Sequence, residues 1–147
     1  MTTLLPHNGC FIGREHHFAV RVYFEDTDFS GIVYHANYLK FLERARSDML
    51  KLAGIEQLAM FESGDGVYAI TEINIKYKAP ARFDDDLLII STVEGVRPVG
   101  CTIHQRVMRG GQLLIEAEVK AAFLSPLGRP KRQPQPWIEA FERLLKE

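Results

Sequence analysis

The chain has 147 residues, of which 46% are hydrophobic and 25% charged, and its formal net charge is −1. That length suits one domain with a real core. The near-neutral charge excludes a broad electrostatic footprint for nucleic acid or a membrane surface.

Residues 1–15, with Pro6, Asn8, Gly9 and Gly13, read as a loosely held arm. The N-terminal Met-Thr-Thr-Leu-Leu-Pro has no basic region leading into an apolar run, so no signal peptide is read there. No stretch approaches the roughly 18 apolar residues of a membrane span. Cys10 and Cys101 form no Cys/His ligand pattern and read as incidental thiols of a reduced, cytoplasmic protein.

From His17 to Phe24, apolar Phe18, Val20, Val22 and Phe24 alternate, which predicts a half-buried strand. Turn formers break it from Asp26 to Gly31. A helix is expected from about Ala36 to Ala53. Tyr38, Phe41, Leu42, Ala45, Met49 and Leu52 recur at spacings of three and four, and Leu39 and Leu50 widen the apolar face. Lys40, Glu43, Arg44, Arg46 and Asp48 read as its polar, solvent-facing side, and Gly54 as its stop.

A short helical turn and a Ser63-Gly64-Asp65-Gly66 loop follow. Val67–Tyr77, Leu87–Val96, Val99–Met108 and Leu113–Phe123 then read as strands, the last two around a Gly110-Gly111 hairpin. Ser125–Pro136 reads as a loop and Trp137–Lys146 as a terminal helix. Short connections imply antiparallel neighbours. The expected architecture is α+β: five antiparallel strands curved around one long helix, plus a short C-terminal helix.

Most of the reactive chemistry lies between the first strand and the helix. Asp26, Asp28, Gly31, His35 and Asn37 fall within 12 residues. Asp28 can serve as nucleophile or general base, or simply as a turn residue or helix cap. His35 can orient Asp28, polarise a carbonyl or protonate a leaving group. Asp26, two residues before Asp28, should point the same way on an extended chain. No ligand set completes a metal site around this pair, and Ser30 sits in no nucleophile-elbow frame. Asp84-Asp85-Asp86 reads as a solvated turn.

The run Asp26-Thr27-Asp28, Gly31, Val33-Tyr34-His35, Asn37-Tyr38 resembles the hotdog-fold acyl-CoA thioesterases. The closest likeness is to the group encoded beside the Tol-Pal envelope genes, within the 4-hydroxybenzoyl-CoA thioesterase-like family. The resemblance continues through Phe41, Glu43-Arg44-Ala45-Arg46, Tyr77, Ala79-Pro80-Ala81-Arg82 and Asp85, over roughly His17 to Pro130. It implies a hotdog domain, here 16–147, thioester hydrolysis without a cofactor or metal, and a homodimer or dimer of dimers. It also implies that Asp28 is the catalytic carboxylate. This chain departs by carrying Phe29-Ser30 before the glycine, where relatives often carry smaller residues.

Under that resemblance, backbone N–H groups of His35 or its neighbours, at the helix start, polarise the thioester carbonyl. Phe29, Tyr34, Tyr38 and Phe41 are expected to line the acyl pocket, and Asn37 and Tyr38 to fix the helix start. A CoA ester carries phosphates, for which Lys76, Lys78 and Arg82 form one candidate cluster and Arg129, Lys131 and Arg132 another. Gly64 and Gly66 lie in a loop that a partner subunit could bring to the site. The expected substrate is an acyl-CoA, small, medium or aromatic, or an acyl carrier protein with the same pantetheine arm. Two other functions fit the same fold: an acyl-thioester hydratase or dehydratase, and a non-catalytic module that binds an acyl carrier protein or an envelope partner.

Overall fold

A computed structural model describes residues 3–145. Six strands form one antiparallel sheet in the order β1-β2-β4-β5-β6-β3. They are β1 (Cys10–Ile12), β2 (Glu15–Arg21), β3 (Val67–Tyr77), β4 (Asp86–Arg97), β5 (Gly100–Arg109) and β6 (Gln112–Leu124). The long helix α1 (Tyr38–Leu52) packs on this sheet, α2 (Gln57–Ser63) follows it, and α3 (Gln135–Leu144) ends the described chain. This is the hotdog arrangement, with the sheet curved about α1. No helix among the described residues is long and apolar enough to cross a membrane.

The sheet has one strand more than expected, because residues 10–12 of the N-terminal arm pair with β2. The first long strand stops at Arg21, and Phe24 starts a 3-10 turn, Phe24–Asp26, where its ring is 81% exposed. The buried face of this strand runs the other way, back to His16, which is fully buried. Period-two counting found the face and misjudged its ends, since Phe18, Val20 and His16 share parity.

Tyr38, Phe41, Leu42, Ala45, Met49 and Leu50 of α1 are buried, whereas Leu39 and Leu52 are each 41% exposed. Phe41 and Leu42 join Val22, Leu87, Ile89 and Val107 in one apolar cluster. Met49 and Leu50 join Val93, Ile103, Phe123, Trp137 and Phe141 in a second. Polar residues lie beneath α1 as well. Gln105 of β5, fully buried, donates to the Leu42 carbonyl (3.0 Å) and to Ser91 Oγ (3.0 Å), and accepts from Arg46 (3.0 Å). His16 Nε2 lies 2.6 Å from Asp48 Oδ2, which also accepts the Gly9 N–H at 2.9 Å. Arg46 and Asp48, expected on the solvent side of the helix, therefore face inward, where buried polar partners satisfy them.

Candidate active site

The Asp26–Asn37 segment is held by a few specific bonds. Asp28 N–H donates to the Ile32 carbonyl (2.9 Å) and Gly31 N–H to the Asp28 carbonyl (3.0 Å). Thr27 and Val33 form an isolated bridge that closes the turn. Gly31 sits at φ +83, a left-handed conformation that favours glycine. Val33 N–H then donates to the Ala81 carbonyl (2.8 Å), and Ile32 bridges to Arg82, which fastens the turn to the 78–82 connection.

Asp26 and Asp28 face different ways. Asp26 lies in a 3-10 turn, not on an extended strand, and is 8% exposed. Its carboxylate accepts the Tyr23 N–H (2.8 Å) and the Asn37 side-chain amide (2.9 Å). Asp28 is exposed, and its Oδ1 accepts the Ser30 hydroxyl (2.5 Å) and the Ser30 N–H (2.9 Å). Those two bonds, with a contribution from His35, hold the Asp28 carboxyl below its ordinary value of 3.8.

Asp28 and His35 line one cleft of about 410 Å³, together with Ile32, Val33, Tyr38, Tyr77, Lys78, Ala79 and Pro80. The Tyr77 hydroxyl donates to the His35 carbonyl (3.0 Å), and the Tyr34 and His35 rings lie 4.6 Å apart. The buried Tyr38 hydroxyl accepts the Ala81 N–H (3.2 Å); burial pushes its phenol up and that N–H opposes the shift. His35–Asn37 is a 3-10 turn running directly into α1. Asn37 N–H donates to the Tyr34 carbonyl (2.8 Å), while the N–H groups of His35 and Ala36 meet no acceptor among the described residues.

Four of the expected site residues lie elsewhere than the sequence suggested. Asn37 is buried against Asp26, outside the cleft lining, and its side chain makes no helix cap. Phe41 belongs to the core. Phe29 is fully exposed at the tip of the turn, also outside the lining. Lys76 points into a different groove with Glu72, His104, Glu116 and Glu118; β3 ends at Tyr77, so Lys78 leaves the strand and does not continue on the Lys76 face. Arg82 stays beside the turn through its bridge to Ile32. Asp85, read as solvated, accepts from the Arg82 N–H and from Arg109 (both 2.8 Å). Tyr77 was given no site role although the family resemblance runs through it; the structure sets it on the cleft wall.

Residues 30–116 match the sequence profile of the Thioesterase superfamily. The chain belongs to this superfamily. Among its relatives, Acyl-CoA thioester hydrolase YbgC of Escherichia coli is 36% identical over 126 residues, covering 84% of this chain and 93% of that protein. Acyl-CoA thioesterase YbgC of Haemophilus influenzae is 39% identical over 114 residues, covering 78% and 83%. The crystal structure of a probable thioesterase from Bartonella henselae superposes with a TM-score of 0.77 at 33% identity, covering 82% of this chain and 99% of that one. The hotdog frame of this thioesterase thus brings a carboxylate and a histidine to one open cleft, with two backbone N–H groups unpaired among the described residues where the chain enters α1.

Proposed function

We propose that this thioesterase hydrolyses acyl-CoA esters to the free acid and CoA, with Asp28 as the reacting carboxylate. The observation that carries the reading is the shared cleft. Asp28 is held ionised by Ser30 at one wall, and the unpaired N–H groups of His35 and Ala36 stand at the start of the α1 segment. A thioester carbonyl between them would develop its oxyanion against those donors, each contributing about 10²–10³ in rate. Asp28 then either attacks the carbonyl carbon or takes a proton from the attacking water. In both routes the C–S bond breaks and the thiolate leaves; in the first, water then hydrolyses the acyl anhydride on Asp28, releasing the free acid and restoring the carboxylate. His35 lines the same cleft, where a proton for that thiolate is needed.

Asp26 and Asn37 act as positioning residues in this reading, and Tyr34, Tyr38 and Tyr77 frame the acyl group. Lys78 and Arg82 stand beside the cleft for the CoA phosphates. The exposed Phe29 is left for the acyl chain or a second copy to cover. Self-association is part of the proposal: β3 is a sheet edge of 11 residues with Val67, Ile70 and Tyr77 exposed, the kind of edge proteins rarely leave uncovered. A homodimer or dimer of dimers is expected in sedimentation, and a strictly monomeric active enzyme would refute it. We place the enzyme in the cytoplasm, where CoA esters occur and the free thiols of Cys10 and Cys101 stay reduced.

Thiol release from short, medium, long and aromatic acyl-CoAs tests the function. A chain-length optimum is expected, with Asp28→Asn lower in kcat/KM by at least about two orders of magnitude. Activity that survives the substitution would remove Asp28 from the chemistry. An unsaturated thioester as product would replace hydrolysis with dehydration.

A further inference from the structure

His16 is fully buried on β2 and lines no part of the Asp28 cleft. Its Nε2 stands 2.6 Å from Asp48 Oδ2, and the same oxygen accepts the Gly9 N–H of the N-terminal arm at 2.9 Å. An ionised carboxylate only accepts, so Nε2 carries the proton and donates. Nδ1 is buried too and meets no partner among the described residues. A second ring proton there would be a buried donor with nothing to accept it, on a ring newly charged away from water. Burial pushes His16 below its ordinary value of 6.5, and the Asp48 bond only partly opposes it. Few charges act on the ring. α1 brings Asp48, and β2 brings His17, which adds to the downward push and is itself engaged by Glu15 at 3.3 Å. β1 and β4 set Phe11 and Ser91 opposite His16 in register. The arm's His7 packs on Phe18 at 5.7 Å, and Phe18 lies 6.3 Å from the His16 ring.

The arm is seated on this pair. The Phe11 and His16 rings meet edge to face at 5.4 Å, and a Cβ at Gly9 would lie 3.1 Å from His16 Nε2 and 2.9 Å from Asp48 Oδ2. The strand that follows, β1, is only three residues long. We propose that His16 and Asp48 form an acid-released latch for the N-terminal arm: the arm lies closed while the His16 ring is neutral, and lifts from β2 when the ring takes a second proton. In the open arm the ring is hydrated and Nδ1–H bonds to water, so the open state binds the proton more tightly than the closed one. The closed arm therefore has its full stability above 6.5 and loses it as pH falls from there through the lowered value of the closed state. Lifting the arm leaves β2 as the sheet edge, a row of unpaired N–H and C=O groups open to another strand. The Asp28 turn is fastened to Ala81 and Arg82, so the latch stands apart from the reaction assigned to Asp28.

Hydrogen exchange of the full chain from about pH 8 down to about pH 5, where histidines rather than carboxylates titrate, tests this. After correction for intrinsic exchange rates, amides of residues 10–12 should lose protection relative to β5 by up to about tenfold per pH unit below 6.5. His16→Gln keeps an N–H for Asp48 and cannot titrate, so its residues 10–12 should follow the same pH slope as β5. Equal slopes for the arm and β5 in wild type would overturn the proposal, as would an arm slope that survives in His16→Gln. Titration of the ring by nuclear magnetic resonance keeps the test open should His16→Gln fail to fold. The Nε2–H tautomer is expected, with a midpoint below 6.5. A midpoint above 6.5 would mean that the closed arm favours the charged ring, and would overturn the proposal.

Discussion

Asp26 and Asp28 show how two like residues acquire opposite duties from their hydrogen bonds. Asp26 has its two oxygens committed to Tyr23 N–H and the Asn37 amide and is nearly buried. Asp28 keeps solvent access and is tuned by Ser30. Its folded-state carboxyl lies below 3.8, so the ionised form dominates above that value and is lost only as pH falls through the depressed one. In the proposed mechanism the acid limb of kcat/KM therefore inflects below the ordinary carboxylate range. Ser30→Ala removes the hydroxyl donor, which should raise the Asp28 value and move that limb toward 3.8. A pH–rate profile that does not move in the variant would separate Ser30 from Asp28 ionisation. The sequence placed Asp28 and His35 in the turn correctly. It could not tell which aspartate faced water, because a 3-10 turn and an extended strand are equally compatible with Phe-Glu-Asp.

Helix α1 positions the site from one end and anchors the core along its length. Its apolar spacing was legible, and the structure buries Tyr38, Phe41, Leu42, Ala45 and Met49 as that spacing implied. Leu42 is fully buried between α1 and the sheet. Leu42→Ala should cost about 2–5 kcal/mol, measured as a shift in denaturant midpoint at unchanged slope. A loss below about 1 kcal/mol would mean that the cluster relaxes into the vacated space. The same helix misled at Arg46 and Asp48. Helical spacing assigns a face, but which polar residues of that face turn inward depends on hydrogen-bond partners from other elements. Those partners are the Gln105 side-chain oxygen on β5, which accepts from Arg46, and the His16 ring on β2, which donates to the Asp48 carboxylate. On β3, alternation would keep Lys76 and Lys78 on one face; the strand end at Tyr77 separates them, and the sequence pattern does not fix that end.

At the scale of the molecule, the N-terminal arm is tied in through β1 and through Gly9. A Cβ at Gly9 would lie 2.2 Å from the His17 carbonyl and 2.9 Å from Asp48 Oδ2, so backbone would have to move. Gly9→Ala should detach the β1 edge, seen as faster hydrogen exchange at residues 10–12, while the Asp28 turn, fastened separately to Ala81 and Arg82, keeps its protection. Unchanged exchange at β1 would show that the arm accommodates the methyl group. The sequence by itself determined the order of the long elements, the apolar face of α1, the hairpin at Gly110 and the turn that carries Asp28 and His35. Each rests on a period or a turn preference contained within one local segment. The tertiary structure alone decided the sixth strand, the inward turn of His16, Asp48 and Arg46, and the withdrawal of Asn37 and Lys76 from the cleft. The side-chain outcomes at Asn37, His16, Asp48 and Arg46 depend on hydrogen-bond partners 11 to 59 residues away, which no local pattern encodes, and the sixth strand on a short hairpin whose arm carries no clear alternation.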